Sequence, residues 1–262
     1  METWLIYLLA GGFAGLTSGL FGIGGGVVVV SVLLFVFGMQ EVPQAVRMHL
    51  AVGTSLATIV ITALSSVRAH HKLGGILWPV FRRLAAGLVI GVVLGAVIAD
   101  VLSGSALQRV FAVFMVAVCL QMLFGGAPAP HRQVPGRAGL MLGGGVIGTF
   151  SSMLGIGGGS LTVPYLAWHG VPMRQAVGTA AAGGLPISLA GAASFVVTGW
   201  GEAGLPAGAT GYVYWPAVLG IVLMSALIAP VGAKLAHRLP QLLLKRVFAG
   251  FLLLIAVRLL LG

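Results

Sequence analysis

Acidic side chains are almost missing. The 262 residues hold only Glu2, Glu41, Asp100 and Glu202, each at the end of an apolar run or in a connecting stretch. Cation carriers and proton pumps usually keep a carboxylate within the membrane as ligand or relay, so this scarcity argues against a cation as cargo and for an anion. Cysteine is nearly absent too. Cys119 stands alone inside the apolar run 110–124, which excludes an intrachain disulfide and a thiolate metal cluster, and no metal or cofactor is expected. Charged residues make up 7% of the chain against 59% hydrophobic, with a mean hydropathy of +1.11. That leaves no room for a sizeable aqueous domain and defines a multi-pass membrane protein. A net charge of +10 would point to nucleic acid in a soluble protein. Here Lys and Arg cluster in short connecting stretches, where they mark the cytoplasmic side of a membrane, so lipid is the expected surrounding and nucleic acid is not a partner. The start, METWLIYLL, carries Glu2 in place of a basic leader and shows no clear cleavage site, so the first apolar segment is expected to stay.

Apolar runs fall at about 4–37, 50–67, 77–101, 107–124, 138–168, 176–198, 212–236 and 241–261, each near or above the ~20 residues that span a bilayer. The first and fifth are too long for one simple helix, and each carries the same glycine string: FGIGGG at 21–26 and LGIGGG at 154–159. The halves align throughout. Gly12 matches Gly145, Val52-Gly53-Thr54 matches Val177-Gly178-Thr179, Trp78-Pro79 matches Trp215-Pro216, and Arg109-Val110-Phe111 matches Arg246-Val247-Phe248. A four-segment unit is duplicated, giving one repeat over 1–124, a Pro- and Gly-rich tether over 125–137 and a second repeat over 138–262.

Charge orients the repeats. The stretch after segment two holds Arg68, His70, His71, Lys72, Arg82 and Arg83, whereas its partner after segment six holds Glu202 and no Lys or Arg. The stretch after segment three holds Asp100 and Arg109, and its partner after segment seven holds Lys234, His237, Arg238, Lys245 and Arg246. The bias reverses between halves, as inverted repeats require. Inversion needs an odd number of crossings per repeat, and four segments supply one only if the glycine-broken segment returns to the side it came from. The expected fold is therefore an all-α polytopic membrane protein of two inverted repeats, with segments one and five as re-entrant hairpins. Both termini and Glu202 then lie outside, and Arg132, Arg137 and Arg174 inside.

Glycine strings at mid-membrane depth usually line a cavity. Gly22, Gly24, Gly25 and Gly26, and Gly155, Gly157, Gly158 and Gly159, let backbone N–H groups approach a solute, and the helix restarting at Val27 aims its positive end at the break. Two such ends, at up to ~2 kcal/mol each, offset much of the ~2.5–3.5 kcal/mol or more that a charge costs near the bilayer centre. The candidate anion ligands are these glycines with neighbouring hydroxyls: Thr17, Ser18 and Thr54 in the first half, and Ser151, Ser152, Ser160 and Thr179 in the second. Thr149, Thr162 and Ser55 stand close by, and each of these hydroxyls has the alternative of bonding a carbonyl of its own helix. Arg47, His49 and Arg174 either draw anions to the mouths of a pathway or serve as topology determinants at the interface. Gly11, Gly15 and Gly19, and Gly87, Gly91 and Gly95, read as faces for close helix packing. Val27 and Ser160 occupy the last position of a GxGxxG string and no Lys follows, so no nucleotide fingerprint is formed. Ser18 follows Leu16-Thr17, which is no hydrolase elbow, and an enzyme is not expected.

The doubled motif, with Pro164 and Gly178-Thr179 following the second copy, resembles the TauE/SafE family of sulfite and organosulfonate exporters over nearly the whole chain. In the first copy Ser31 stands where the second has Pro164. The resemblance implies transport of small sulfur-containing anions such as sulfite, sulfoacetate or related organosulfonates across a bacterial inner membrane. The expected action is export by alternating access around a central site. Alternatives are an anion channel or uniporter for another small anion, and a non-transporting structural membrane protein; a homo-oligomer is left open.

Overall fold

Lipid offers the backbone no hydrogen-bond partner, so charge-free apolar runs satisfy their N–H and C=O groups as helices. The computed structural model describes residues 2–21, 25–124, 133–236 and 241–261. Every apolar segment is helical, and the first and fifth are each split at the glycine string. The first repeat holds α1 (Glu2–Phe21), α2 (Gly26–Met39), α3 (Gln44–Lys72), α4 (Trp78–Val101) and α5 (Gly104–Phe124). The second holds α6 (Arg137–Leu154), α7 (Gly159–Trp168), α8 (Met173–Thr198), α9 (Trp215–Ala236) and α10 (Gln241–Leu261). A short antiparallel pair, β1 (Ala209–Thr210) and β2 (Val213–Tyr214), precedes α9. By length and composition, 44–72, 78–101, 104–121 and 173–198 can each cross a membrane. α3 outruns its apolar core at both ends. Pro43 pre-sets its start (φ −53°, ψ 135°), and His70, His71 and Lys72 fill its last turn, where cations favour the helix dipole.

Each split segment folds back on itself. Tyr165, late in α7, donates its hydroxyl to the Gly139 carbonyl at the start of α6 (3.2 Å). Tyr7, early in α1, donates to Gln40 Oε1 just beyond α2 (2.7 Å). The breaks are therefore at the tips of two hairpins, and the tips meet: a methyl group at Gly26 would lie 2.6 Å from the Gly155 carbonyl oxygen.

The hairpins are packed by exchange between repeats. α1 lies on α9 and α6 on α4. A methyl at Gly11 or Gly15 would press on the backbone of Ile221 (2.7 Å) or Ser225 (2.6 Å). One at Gly144 or Gly148 would press on the carbonyls of Leu84 or Leu88. The glycines predicted as packing faces on α4 do the same, Gly87 and Gly91 against the carbonyls of Met141 and Gly145. α3 packs on α8 and α5 on α10. Both pairs are antiparallel. Arg174 at the start of α8 donates to the Leu73 carbonyl beyond the end of α3 (2.9 Å). Gln108 at the start of α5 donates to the Leu259 carbonyl at the end of α10 (2.9 Å). Leu219, Leu223 and Leu227 form an exposed stripe on α9, a face suited to lipid.

Candidate functional site

The end of α6 fixes the second break. Gly155 takes a left-handed conformation (φ 66°, ψ 31°), and Ile156 N–H bonds the Ser151 carbonyl (2.9 Å), a helix stop that glycine makes without steric cost. Gly158 is left-handed as well (φ 75°, ψ −13°) and caps α7. Its carbonyl accepts N–H groups from Leu161 (3.1 Å) and Thr162 (2.7 Å). The positive end of α7 is thereby turned on the break.

Two side chains converge there. A methyl placed at Gly158 would lie 3.5 Å from Thr162 Oγ1 and 3.6 Å from Ser151 Oγ, and against Ile187 Cδ1. Ser151 and Thr162 are fully buried, and among the described residues neither hydroxyl has a hydrogen-bond partner. An unpaired buried hydroxyl costs ~1–3 kcal/mol. Two such groups at the foot of one helix make a pair of unused donors suited to an anionic oxygen.

The first break shares a wall with the second. Gly22 and Gly24 lie outside the described residues, as does the side chain of Ser18. Gly25 caps α2 and Gly26 opens it, one residue before the expected restart at Val27. The Ile59 side chain would meet methyl groups at both Gly26 (3.0 Å) and Gly157 (3.2 Å). Ser55 donates to the Gly155 carbonyl (2.8 Å) and also approaches that of Gly26 (3.4 Å). Val29 takes the place in α2 that Thr162 takes in α7, and Ser31 bonds its own helix at the Val27 carbonyl (2.8 Å). The hydroxyl pair therefore belongs to the second hairpin.

The other expected ligands are spread out. Ser160 sits in the first turn of α7, and around Gly159 a methyl would meet nothing within 4 Å. Thr17 bonds the Phe13 and Ala14 carbonyls (2.8 and 3.1 Å), and Ser152 bonds that of Thr149 (3.1 Å). Thr54 Oγ1 accepts Tyr214 N–H (3.0 Å), and Thr179 Oγ1 accepts Leu77 N–H (3.0 Å). These are matching bonds between repeats: Gly53 and Gly178 also abut the Tyr212 and Gly75 carbonyls. Both threonines thus act as fasteners. Thr162 is absent from the expected set, although its position four residues after Gly158 puts it one turn above the break.

A cleft of about 570 Å³ opens where α3 begins and α4 ends, lined by His49, Asp100, Ser103, Glu202 and Tyr212 among others, and by no Lys or Arg. The buried His49 donates from Nε2 to the Ala99 carbonyl (2.8 Å) and stacks on Tyr212 at 5.0 Å. Burial, with Glu202 and Asp100 nearby, pushes the Tyr212 phenol up to about 12. Arg47 is held by the Val42 carbonyl (2.7 Å) and Arg174 by that of Leu73. Each of these cations serves a loop carbonyl.

Comparison with known proteins agrees in extent. A Haemophilus influenzae protein named "Probable membrane transporter protein" is 38% identical over 257 residues, covering 97% of this chain and 96% of its own. A similarly named Methanocaldococcus jannaschii protein is 28% identical, over 90% of this chain and 86% of its own. A Bacillus subtilis relative, also named as a membrane transporter, is 27% identical over 98% and 83%. No solved structure matches significantly. These names describe transporters, not enzymes. With residues 7–259 matching the family described as sulfite exporter TauE/SafE, the chain belongs to that family of membrane transporters.

Proposed function

We propose that the chain exports small sulfur-containing anions, such as sulfite, sulfoacetate or related organosulfonates, across the bacterial inner membrane by alternating access. Residues 1–124 and 138–262 act as inverted repeats whose hairpins exchange roles about a central site. The observation that carries this reading is the convergence on Gly158, at the start of α7, of two fully buried hydroxyls, Ser151 and Thr162, that have no partner among the described residues. Ser160, Gly155, Gly157 and Gly159 complete that side, and Gly25 and Gly26 face it from the start of α2. Outward direction is supported by the cleft carrying Asp100 and Glu202, which lies on the face opposite the basic residues at the end of α3 and the start of α4. Carboxylates there lower the local anion concentration and oppose re-entry.

The test is flux of sulfite and small organosulfonates by purified protein in liposomes. Saturation and counterflow are expected, and Gly158→Val, which forces a branched side chain into a left-handed position against Ile187, abolishes both while membrane insertion survives. Flux without saturation or counterflow would indicate a channel. No flux of any small anion would refute the transport reading for this cargo class.

A further inference from the structure

Resting on the anion-carrier reading, we infer that the site between the hairpin tips accepts singly charged oxyanions and rejects dianions of the same shape, so that among the proposed cargoes sulfite is carried as its monoanion and singly charged organosulfonates are preferred to the doubly charged sulfoacetate. The charge available there is small and countable. α2 and α7 restart against the same Ile59 side chain, and each helix start is equivalent to roughly +0.5 of an elementary charge. Together they balance at most one negative charge, and the C-terminal ends of α1 and α6 at the same tips only lower that sum. No full charge adds to them: no Lys, Arg, Asp or Glu occurs within 3–40, 48–67 or 138–173, the stretches that build both hairpins and the adjoining part of α3. Ser151 and Thr162 are neutral donors, able to orient two oxygens but not to neutralise a second charge. A dianion would therefore bring about one uncompensated charge into an apolar interior, and on insertion scales for charge at the bilayer centre this discriminates by at least about 50-fold. The cleft with Asp100 and Glu202 works in the same direction, since a dianion meets twice the repulsion that a monoanion does.

Methanesulfonate and methylphosphonate separate charge from shape. Both are tetrahedral with a methyl group and three oxygens; the sulfonate stays singly charged across the neutral range, whereas the phosphonate passes from monoanion to dianion as pH rises. Binding of each to the purified full-length protein is measured by ligand-dependent thermal shift from mildly acid to mildly alkaline pH. Methanesulfonate is expected to bind with near-constant affinity, which also controls for titration of the protein. Methylphosphonate is expected to match it in acid and to weaken by about 50-fold or more in alkali. Thr162→Val should weaken both monoanions and Thr162→Ser restore them, which places the binding at the break. Equal affinity for the phosphonate dianion would overturn the charge rule and leave the anion-carrier reading standing. No response to either compound at any pH would overturn both.

Discussion

Replacing Thr162 by Val should make the empty protein more stable and sharply reduce the stability that bound anion adds. The hydroxyl of Thr162 is fully buried with no partner among the described residues, which costs the empty state ~1–3 kcal/mol. Valine keeps the branched shape and has nearly the same helix propensity, so the variant regains most of that cost. Bound anion acts in the opposite direction. A hydrogen bond to a charged group contributes ~1.5–3 kcal/mol, and its loss weakens binding by roughly 10- to 150-fold. At a ligand concentration about 100 times the wild-type Kd, the wild type gains ~2.7 kcal/mol. A variant weakened 100-fold gains only ~0.4 kcal/mol from the same relation. Thermal unfolding of detergent-solubilised protein, titrated with methanesulfonate, reads both quantities in one experiment: the variant starts above the wild type and gains ~2.3 kcal/mol less from the anion. Thr162→Ser restores the donor and should restore the response. A variant that is less stable when empty and responds to anion like the wild type would refute the assignment, because Thr162 would then be an ordinary packing residue.

Other perturbations follow from the same contacts. Gly26→Ala forces a methyl to within 2.6 Å of the Gly155 carbonyl and should cost ~1–3 kcal/mol in thermal unfolding. Gly159→Ala meets nothing within 4 Å, so it should leave stability unchanged or raise it by up to ~1 kcal/mol while weakening the anion response at the break. Thr54→Val and Thr179→Val each remove the acceptor of an N–H from the other repeat and should each destabilise by ~1–3 kcal/mol. Being separate sites, they should add within ~0.5 kcal/mol in the double variant; a loss confined to one would show that the fasteners are unequal. Neutralising the cleft with Asp100→Asn and Glu202→Gln should raise anion entry from that face in liposomes, and the gain should fade as salt is added, since exposed charges are screened over about 10 Å at 0.1 M.

The duplicated pattern made the frame legible. Apolar runs located every helical segment, the glycine strings located both breaks, and the reversed charge bias led to hairpins. Regular glycine spacing on α1 and α4 announced the close contacts those helices make. What could not be read was the partner of each hydroxyl. Thr54 and Thr179 follow a glycine at equivalent places, and from sequence alone such a hydroxyl is as good a ligand as any. Their true partners, Tyr214 and Leu77, lie more than one hundred positions away in the chain. Ser152 and Thr162 are similarly alike on paper, both near the second break. Only the rotation of each side chain about its helix decides that Ser152 turns to the Thr149 carbonyl while Thr162 turns to Gly158.

The two halves keep identity where they touch each other. Gly53 and Gly178, Thr54 and Thr179, and the glycine pairs of α1 and α6 each meet backbone of the opposite repeat. At such positions a side chain in one half is constrained by main chain in the other, and any enlargement is resisted twice over. Thr162 and Val29 are equivalent in place and differ in chemistry, as do Pro164 and Ser31. A second hydroxyl pair at the first tip would add a further ~1–3 kcal/mol of unpaired donor for each member without adding a second cargo. One set of donors therefore suffices for a site on the axis between the tips. The segment from Pro43 to Gly53 is likewise four residues longer than that from Pro172 to Gly178, one extra helical turn. That turn brings His49 to the cleft beside Asp100 and Glu202.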